Sequence, residues 1–387
     1  MINRYFAILL LGSLLTSCVA VQKTAWKDAG KQLDVLYNNA VEQGKNEKWF
    51  PRTLQGDSLK LVVSDDWTSG FFPGILWMMY EHTKNDVWKE KAAFFTERMY
   101  REPHNARSHD VGFKVYNSFG QAYRLTGEEK YKKAILDGAT TLVKRFYPAV
   151  ASIKSWDFRK WEFPVIIDNM MNLELLFAAT RISGDSSFYK IAVTHANTTM
   201  KNHFRDDFSS WHVVSYDTVN GNVLSKGTHQ GYADHSAWAR GQAWALYGFT
   251  MCYRETRDPA YLALAENIAG YLLKHPRLPA DKVPYWDFDA PVTAATPRDV
   301  SAAAIMASAL WELGDYSVNN RKTYKQFARD MAQTLTKHYR SPAGTAGGFL
   351  LLHSTGHLPA NSEIDVPLIY ADYYYIELLK RIGERAK

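Results

Sequence analysis

The stretch YRLTGEEKYKKAILDGATTLVKRF, Tyr123 to Phe146, ends one helix, turns at Gly127, and opens a second helix with an aromatic followed by spaced Ala. The same order returns in TRISGDSSFYKIAVTHANTTMKNHF (Thr180–Phe204) and YRETRDPAYLALAENIAGYLLKH (Tyr253–His275). YEHTKNDVWKEKAAFFTERM from Tyr80 and WELGDYSVNNRKTYKQFARDMAQTLTKHY from Trp311 match it more loosely. Self-similarity of this kind marks a repeat of helix pairs. An apolar helix runs into each turn and an amphipathic, charge-bearing helix leaves it. The apolar helices are predicted to start near Ser69, Val111, Asp168, Ala237, Asp299 and Val366, and the amphipathic ones near Thr24, Asp86, Glu128, Ser186, Pro259 and Asn320. A helix apolar on all sides is buried, and one with a polar face is peripheral. Six inner and six outer helices closing in a ring give an all-α fold, an (α/α)6 barrel, as a single domain over residues 23–387. A solenoid of helix pairs is the alternative; the buried character of all six inner helices favours closure.

The chain has 387 residues, 46% of them hydrophobic, which is enough for a sizeable core. Its net charge of +6 is spread along the sequence without a Lys/Arg run of the kind that tracks nucleic acid, so no nucleic-acid partner is expected. Twelve Trp and 23 Tyr are either a Tyr-rich helical core or platforms for sugar rings.

The N-terminus reads MINRYFAILLLGSLLTSCVAVQ. Arg4 supplies positive charge, and Phe6 to Leu15 is apolar but too short for a permanent membrane span. Residues 1–17 therefore read as a signal peptide. Leu15-Thr16-Ser17-Cys18 resembles the bacterial lipobox, which predicts lipidation of Cys18, a tether over residues 18–22, and a periplasmic or surface-facing lipoprotein held to the membrane by its anchor alone. Cys252 is the only other cysteine, so no intramolecular disulfide framework is expected.

In a closed ring the inner helices run parallel and their N-termini meet at one end. The residues just before or at those starts are Asp65, Asp66 and Trp67; His109 and Asp110; Asp168; Asp234, His235 and Arg240; Arg298 and Asp299; and Asp365. An Asp there caps free helix N–H groups. Converging N-termini also form an electropositive funnel for anions, and carboxylates can work on an anionic ligand held in it. Two long connectors reach this end, ASIKSWDFRKWEF (151–163) and SSWHVVSYDTVNGNVLSKGTHQGYADHSAW (209–238). Long loops in a compact domain are usually functional. HExxH, CxxC, Walker and GxSxG motifs are all missing. His229 and His235 are a weak ligand pair, and neither a metal nor a cofactor is predicted. Carboxylates and aromatics in a cavity that favours anions point to glycan chemistry.

SHDVGF (Ser108–Phe113), IIDNMMNLELL (Ile166–Leu176) and THQGYADHSAWARGQAWALYGF (Thr228–Phe249) resemble motifs of the unsaturated glucuronyl hydrolases, glycoside hydrolase family 88. So do TPRDVSAAAI from Thr296 and PLIYADYYYIELL from Pro367. The resemblance implies an (α/α)6 barrel acting on lyase-generated oligosaccharides that carry an unsaturated uronic acid at the non-reducing end. It implies Asp168 as principal acid/base and Asp110 as the second essential aspartate. His212, Gln230, Arg240 and Trp244 match further active-site residues, and Trp67 matches an aromatic that packs on the sugar. In such a sugar, protonating C4 builds a cation at C5 next to the ring oxygen, so the expected chemistry is hydration of the C4=C5 double bond driven by Asp168. Asp168 follows Phe163, Val165, Ile166 and Ile167, so burial beside a second aspartate is expected to raise its pKa. The rivals are an unsaturated rhamnogalacturonyl hydrolase of the same fold and a non-catalytic glycan-binding lipoprotein.

Overall fold

The computed structural model describes residues 24–158 and 161–384. Helices alternate outer and inner along the chain: α1 (24–43), α2 (Phe71–Thr83), α3 (Asp86–Glu97), α4 (111–126), α5 (Glu129–Val143) and α6 (Asn169–Ser183). They continue as α7 (Ser186–Asn202), α8 (Ala239–Thr256), α9 (Pro259–Lys274), α10 (Val300–Tyr316), α11 (Arg321–Thr334) and α12 (Ile369–Gly383). Within α4 the segment Tyr116–Gly120 is a π turn. The even-numbered helices are the inner set. Each packs on its two inner neighbours, and α12 returns to pack on α2, so the ring closes and a solenoid is excluded.

The starts predicted from the repeat agree with the helices. The largest difference is at α12, which begins at Ile369 rather than near Val366. Residues 366–368 are extended because Val366 precedes Pro367 and bridges Ser354, while Leu368 bridges Thr53. The inner helices approach closely where glycine permits it. A Cβ on Gly112 of α4 would lie 2.5 Å from the Asn172 Cα of α6, and one on Gly248 of α8 would lie 2.5 Å from the Met170 Cβ. These contacts set α4 and α8 against α6 with little room for adjustment.

The long connectors hold short strands that the repeat does not announce. β1 (Phe50–Gln55) and β2 (Ser58–Val62) form a hairpin, β3 (Phe146–Tyr147) pairs with β4 (Ser152–Ile153), and β5 (Pro164–Ile166), β6 (Val213–Tyr216) and β7 (Val223–Gly227) form an antiparallel sheet. The β1–β2 hairpin is tied to the far end of the chain. Thr53 Oγ1 donates to the Pro367 carbonyl at 2.6 Å, and Arg52 forms an ion pair with Glu363. Trp77, Tyr370, Tyr374 and Tyr375 are all fully buried, so much of the aromatic content fills the core.

Candidate active site

The continuous apolar run before Asp168 is β5. Its partner β6 pairs Ile166 with Val213, and the Ile167 N–H donates to the His212 carbonyl at 3.0 Å. The sheet thus fixes Asp168, at the mouth of α6, beside His212. The Asp168 side chain makes no capping hydrogen bond. Its carboxyl is buried, Oδ2 lacks a hydrogen-bond partner among the described residues, and the pKa is raised from 3.8 to about 7. Burial is the main cause; Asp110 pushes the same way and Arg240 opposes it.

His212 is buried and its imidazole is held well below the usual histidine pKa, chiefly by desolvation. Its Nδ1 accepts from the backbone N–H groups of His229 (3.1 Å) and Gln230 (3.2 Å). That nitrogen therefore carries the lone pair, and the proton of the neutral ring sits on Nε2. Nε2 lies 3.8 Å from Asp168 Oδ2.

Asp110 precedes α4. Ser108 Oγ donates to Asp110 Oδ2 at 2.9 Å, and His109 Nε2 lies 3.3 Å from Oδ1. The Phe113 N–H donates to Asn172 Oδ1 at 2.8 Å, which ties the start of α4 to α6 and sets Asp110 relative to Asp168. Arg240, in the first turn of α8, is buried. Its Nη1 donates to Asp299 Oδ2 (2.7 Å) and the Thr355 carbonyl (2.6 Å), and its Nη2 donates to the Gly356 carbonyl (2.6 Å). The Nε hydrogen and one Nη2 hydrogen stay outside those three bonds.

Asp168, Asp110, Arg240, Gln230 and Trp67 line one cavity of about 290 Å³ at this end of the ring. Trp67 packs against Tyr370 (4.8 Å between rings) and Phe113 (5.5 Å). Gln230 donates from Nε2 to the Gly356 carbonyl at 3.1 Å. His212, expected to touch the substrate, is not among the residues lining the cavity; it is buried beside Asp168, which the β5–β6 pairing sets next to it. Trp244 is corrected: it lies outside the cavity, fully buried, with its ring 5.2 Å from Phe113 and 5.4 Å from Tyr374. It sits one turn further along α8 than Arg240 and packs in the core.

The reading of the aspartates as caps is also corrected. Asp299 caps α10, accepting from the Ser301 and Ala302 N–H groups, and anchors Arg240 as well. Asp110 and Asp168 make no capping bond. Asp365, which precedes Pro367, forms a hydrogen bond with His353. Asp299 apart, the side-chain caps fall on outer helices, at Asn85, Asp185 and Asp258. His229 lines the cavity, whereas His235 is exposed and does not, so the two do not form a pair.

Sequence reasoning missed Arg52, Trp156, Phe158, His357, Glu363 and Tyr370 as cavity residues. Trp156 and Phe158 lay inside the long connector singled out as functional. Arg52 and Glu363 meet across 311 residues of sequence and left no local signal.

A closed helical ring that holds a protonated carboxyl near neutral pH, with a second carboxylate beside it, has the architecture of the (α/α)6-barrel glycoside hydrolases, and this enzyme is one of them. No family model matches the chain. It is 50% identical over 364 residues to an unsaturated glucuronyl hydrolase of Formosa agariphila, covering 92% of this chain and 90% of that protein. An unsaturated chondroitin disaccharide hydrolase of Streptococcus pneumoniae is 33% identical over 342 residues, 86% of each chain. The crystal structure of an unsaturated glucuronyl hydrolase specific for heparin superposes with a TM-score of 0.89 at 45% identity, over 94% of this chain and 97% of that one. The chain belongs to the unsaturated glucuronyl hydrolases, glycoside hydrolase family 88.

Proposed function

We propose that this enzyme removes a 4,5-unsaturated uronic acid from the non-reducing end of lyase-generated oligosaccharides, with Asp168 as general acid and then general base. The observation that carries the reading is the Asp168 carboxyl itself: buried, unpartnered at Oδ2, and protonated up to about pH 7. The names of the relatives above support the substrate class.

The C4=C5 bond of such a sugar is an enol ether conjugated to a carboxylate. Protonating C4 builds positive charge at C5, where the ring oxygen shares it. Asp168 delivers that proton. The carboxylate left behind gains support from the His212 Nε2–H and Arg240, and takes a proton from the water that attacks C5. The C5 hemiketal then opens to a ketone, and the aglycone leaves from C1. Asp110, beside the ring, places negative charge near the cation as it forms. The substrate carboxylate faces the two remaining Arg240 hydrogens, Trp67 stacks on the sugar, and Gln230 contributes a polar edge. Trp244 acts only through packing.

The test is incubation with unsaturated disaccharides, following loss of the double-bond ultraviolet absorbance. In heavy water, deuterium should enter C4 of the product, and a saturated glucuronide of the same linkage should survive. Cleavage of the saturated analogue would overturn the hydration chemistry.

We infer further that residues 1–17 are a signal peptide, that Cys18 is lipidated, and that residues 18–22 tether the barrel, residues 23–387, to a membrane on the periplasmic or external face. Residues 1–23 lie outside the described residues. Support comes from the charge of Arg4, the short apolar run and the lipobox-like Leu15-Thr16-Ser17-Cys18.

A further inference from the structure

Phe158 is an anomaly in the cavity wall. It lines the cavity with Asp168, yet 51% of its surface is exposed. Its neighbour Trp156 is buried and stacks on it, with ring centroids 5.0 Å apart and planes 20° from parallel. With Trp156 against one face, the exposure falls on the rest of the Phe158 ring. The base of this loop is pinned. The Ser155 N–H donates to the Pro164 carbonyl at 2.9 Å, and Ser155 Oγ accepts from the Ile166 N–H at 3.0 Å. Arg145 donates to Asp157 at 2.9 Å, fixing the residue before Phe158. The ring is thus carried close to the strand that leads into Asp168.

We propose that Phe158 is the stacking platform for the sugar on the leaving side of the scissile bond, a claim that rests on the function proposed above. The reacting ring must reach the buried Asp168 carboxyl, so its C1 side points toward the cavity rim. Phe158 is the exposed aromatic there, and its backing by Trp156 keeps it from folding away. An aromatic face takes the apolar C–H face of a pyranose. The preferred leaving sugar is therefore one whose axial hydrogens form an unbroken apolar face, without a charged substituent projecting from it.

The experiment compares two substrates: the methyl glycoside of the unsaturated uronic acid, which has no leaving sugar, and an unsaturated disaccharide. The wild-type enzyme should prefer the disaccharide in kcat/KM. Phe158→Ala should shrink that preference about fivefold to tenfold, mainly through KM, and Phe158→Trp should restore it. An unchanged preference in Phe158→Ala would overturn the platform. Equal losses on both substrates would also overturn it, because they would place Phe158 with the reacting ring. Failure of the wild-type enzyme on both substrates would instead remove the function on which the platform rests, so the two failures are distinguishable.

Discussion

Replacing Asp168 by Asn should stop the chemistry and stabilise the fold, the second effect growing with pH. On folding, the carboxyl moves from 3.8 to about 7, first because burial strips its solvation. Between those values the folded protein holds a proton that the unfolded chain releases. Stability therefore falls as pH rises from about 4 to about 7, and above that window the full cost of an ionised buried carboxylate remains. At about 1.4 kcal/mol per tenfold change in proton concentration, that cost reaches about 4 kcal/mol. Asn is nearly isosteric and uncharged. In urea unfolding, Asp168→Asn should gain most of about 4 kcal/mol over the parent at pH 8 and almost nothing at pH 4, with the denaturant slope unchanged. Its turnover should fall by at least about two orders of magnitude. A stability gain constant from pH 4 to pH 8 would refute the reasoning, because the benefit would then come from amide contacts and not from removal of a buried charge.

Other perturbations test neighbouring parts of the argument. Asp110→Asn removes a charge that raises the Asp168 pKa, so the pH at which the parent loses stability should move down; the same unfolding series measures it. Arg240→Lys keeps the charge but loses the fork to Asp299, Thr355 and Gly356, and should lower kcat/KM by about tenfold to a hundredfold. Trp244→Phe should cost about 1 to 3 kcal/mol in unfolding yet leave kcat/KM within about twofold, since the ring is core and not cavity wall. Cys18→Ala should move the protein from the membrane fraction to the soluble fraction with activity intact; continued membrane association would sink the anchor proposal.

The helix pairs were legible because four of the five turns carry the same punctuation, a left-handed residue ending an inner helix at Lys84, Gly127, Gly184 and Arg257, whereas the turn after α10 ends in an extended Ser317. Asp168 was legible because a charged residue interrupts an apolar run, and the structure supplies the burial that the run implied. Trp244 entered the candidate site through the family resemblance; an inner helix turns its residues toward both the mouth and the depth of the axis, and this one packs in the core. The β5–β6–β7 sheet went unseen inside connectors, although it is what brings His212 to Asp168. The π turn at Tyr116–Gly120 also left no local signature. Partners such as Arg52 and Glu363 are made by ring closure, which no local pattern records.

That closure links the chemistry to the order of synthesis. The carbonyls that hold Arg240 belong to Thr355 and Gly356, Tyr370 supplies part of the cavity wall, and α12 shuts the ring against α2. A nascent chain that has been made only as far as α10 already possesses Asp110, Asp168 and His212, but the enclosure around them is incomplete. Thr355, Gly356 and Tyr370 are still to be made, so Arg240 lacks two of its carbonyl partners and the cavity lacks part of its wall. The closed cavity is thus a property of the finished ring, completed only when the last inner helix docks.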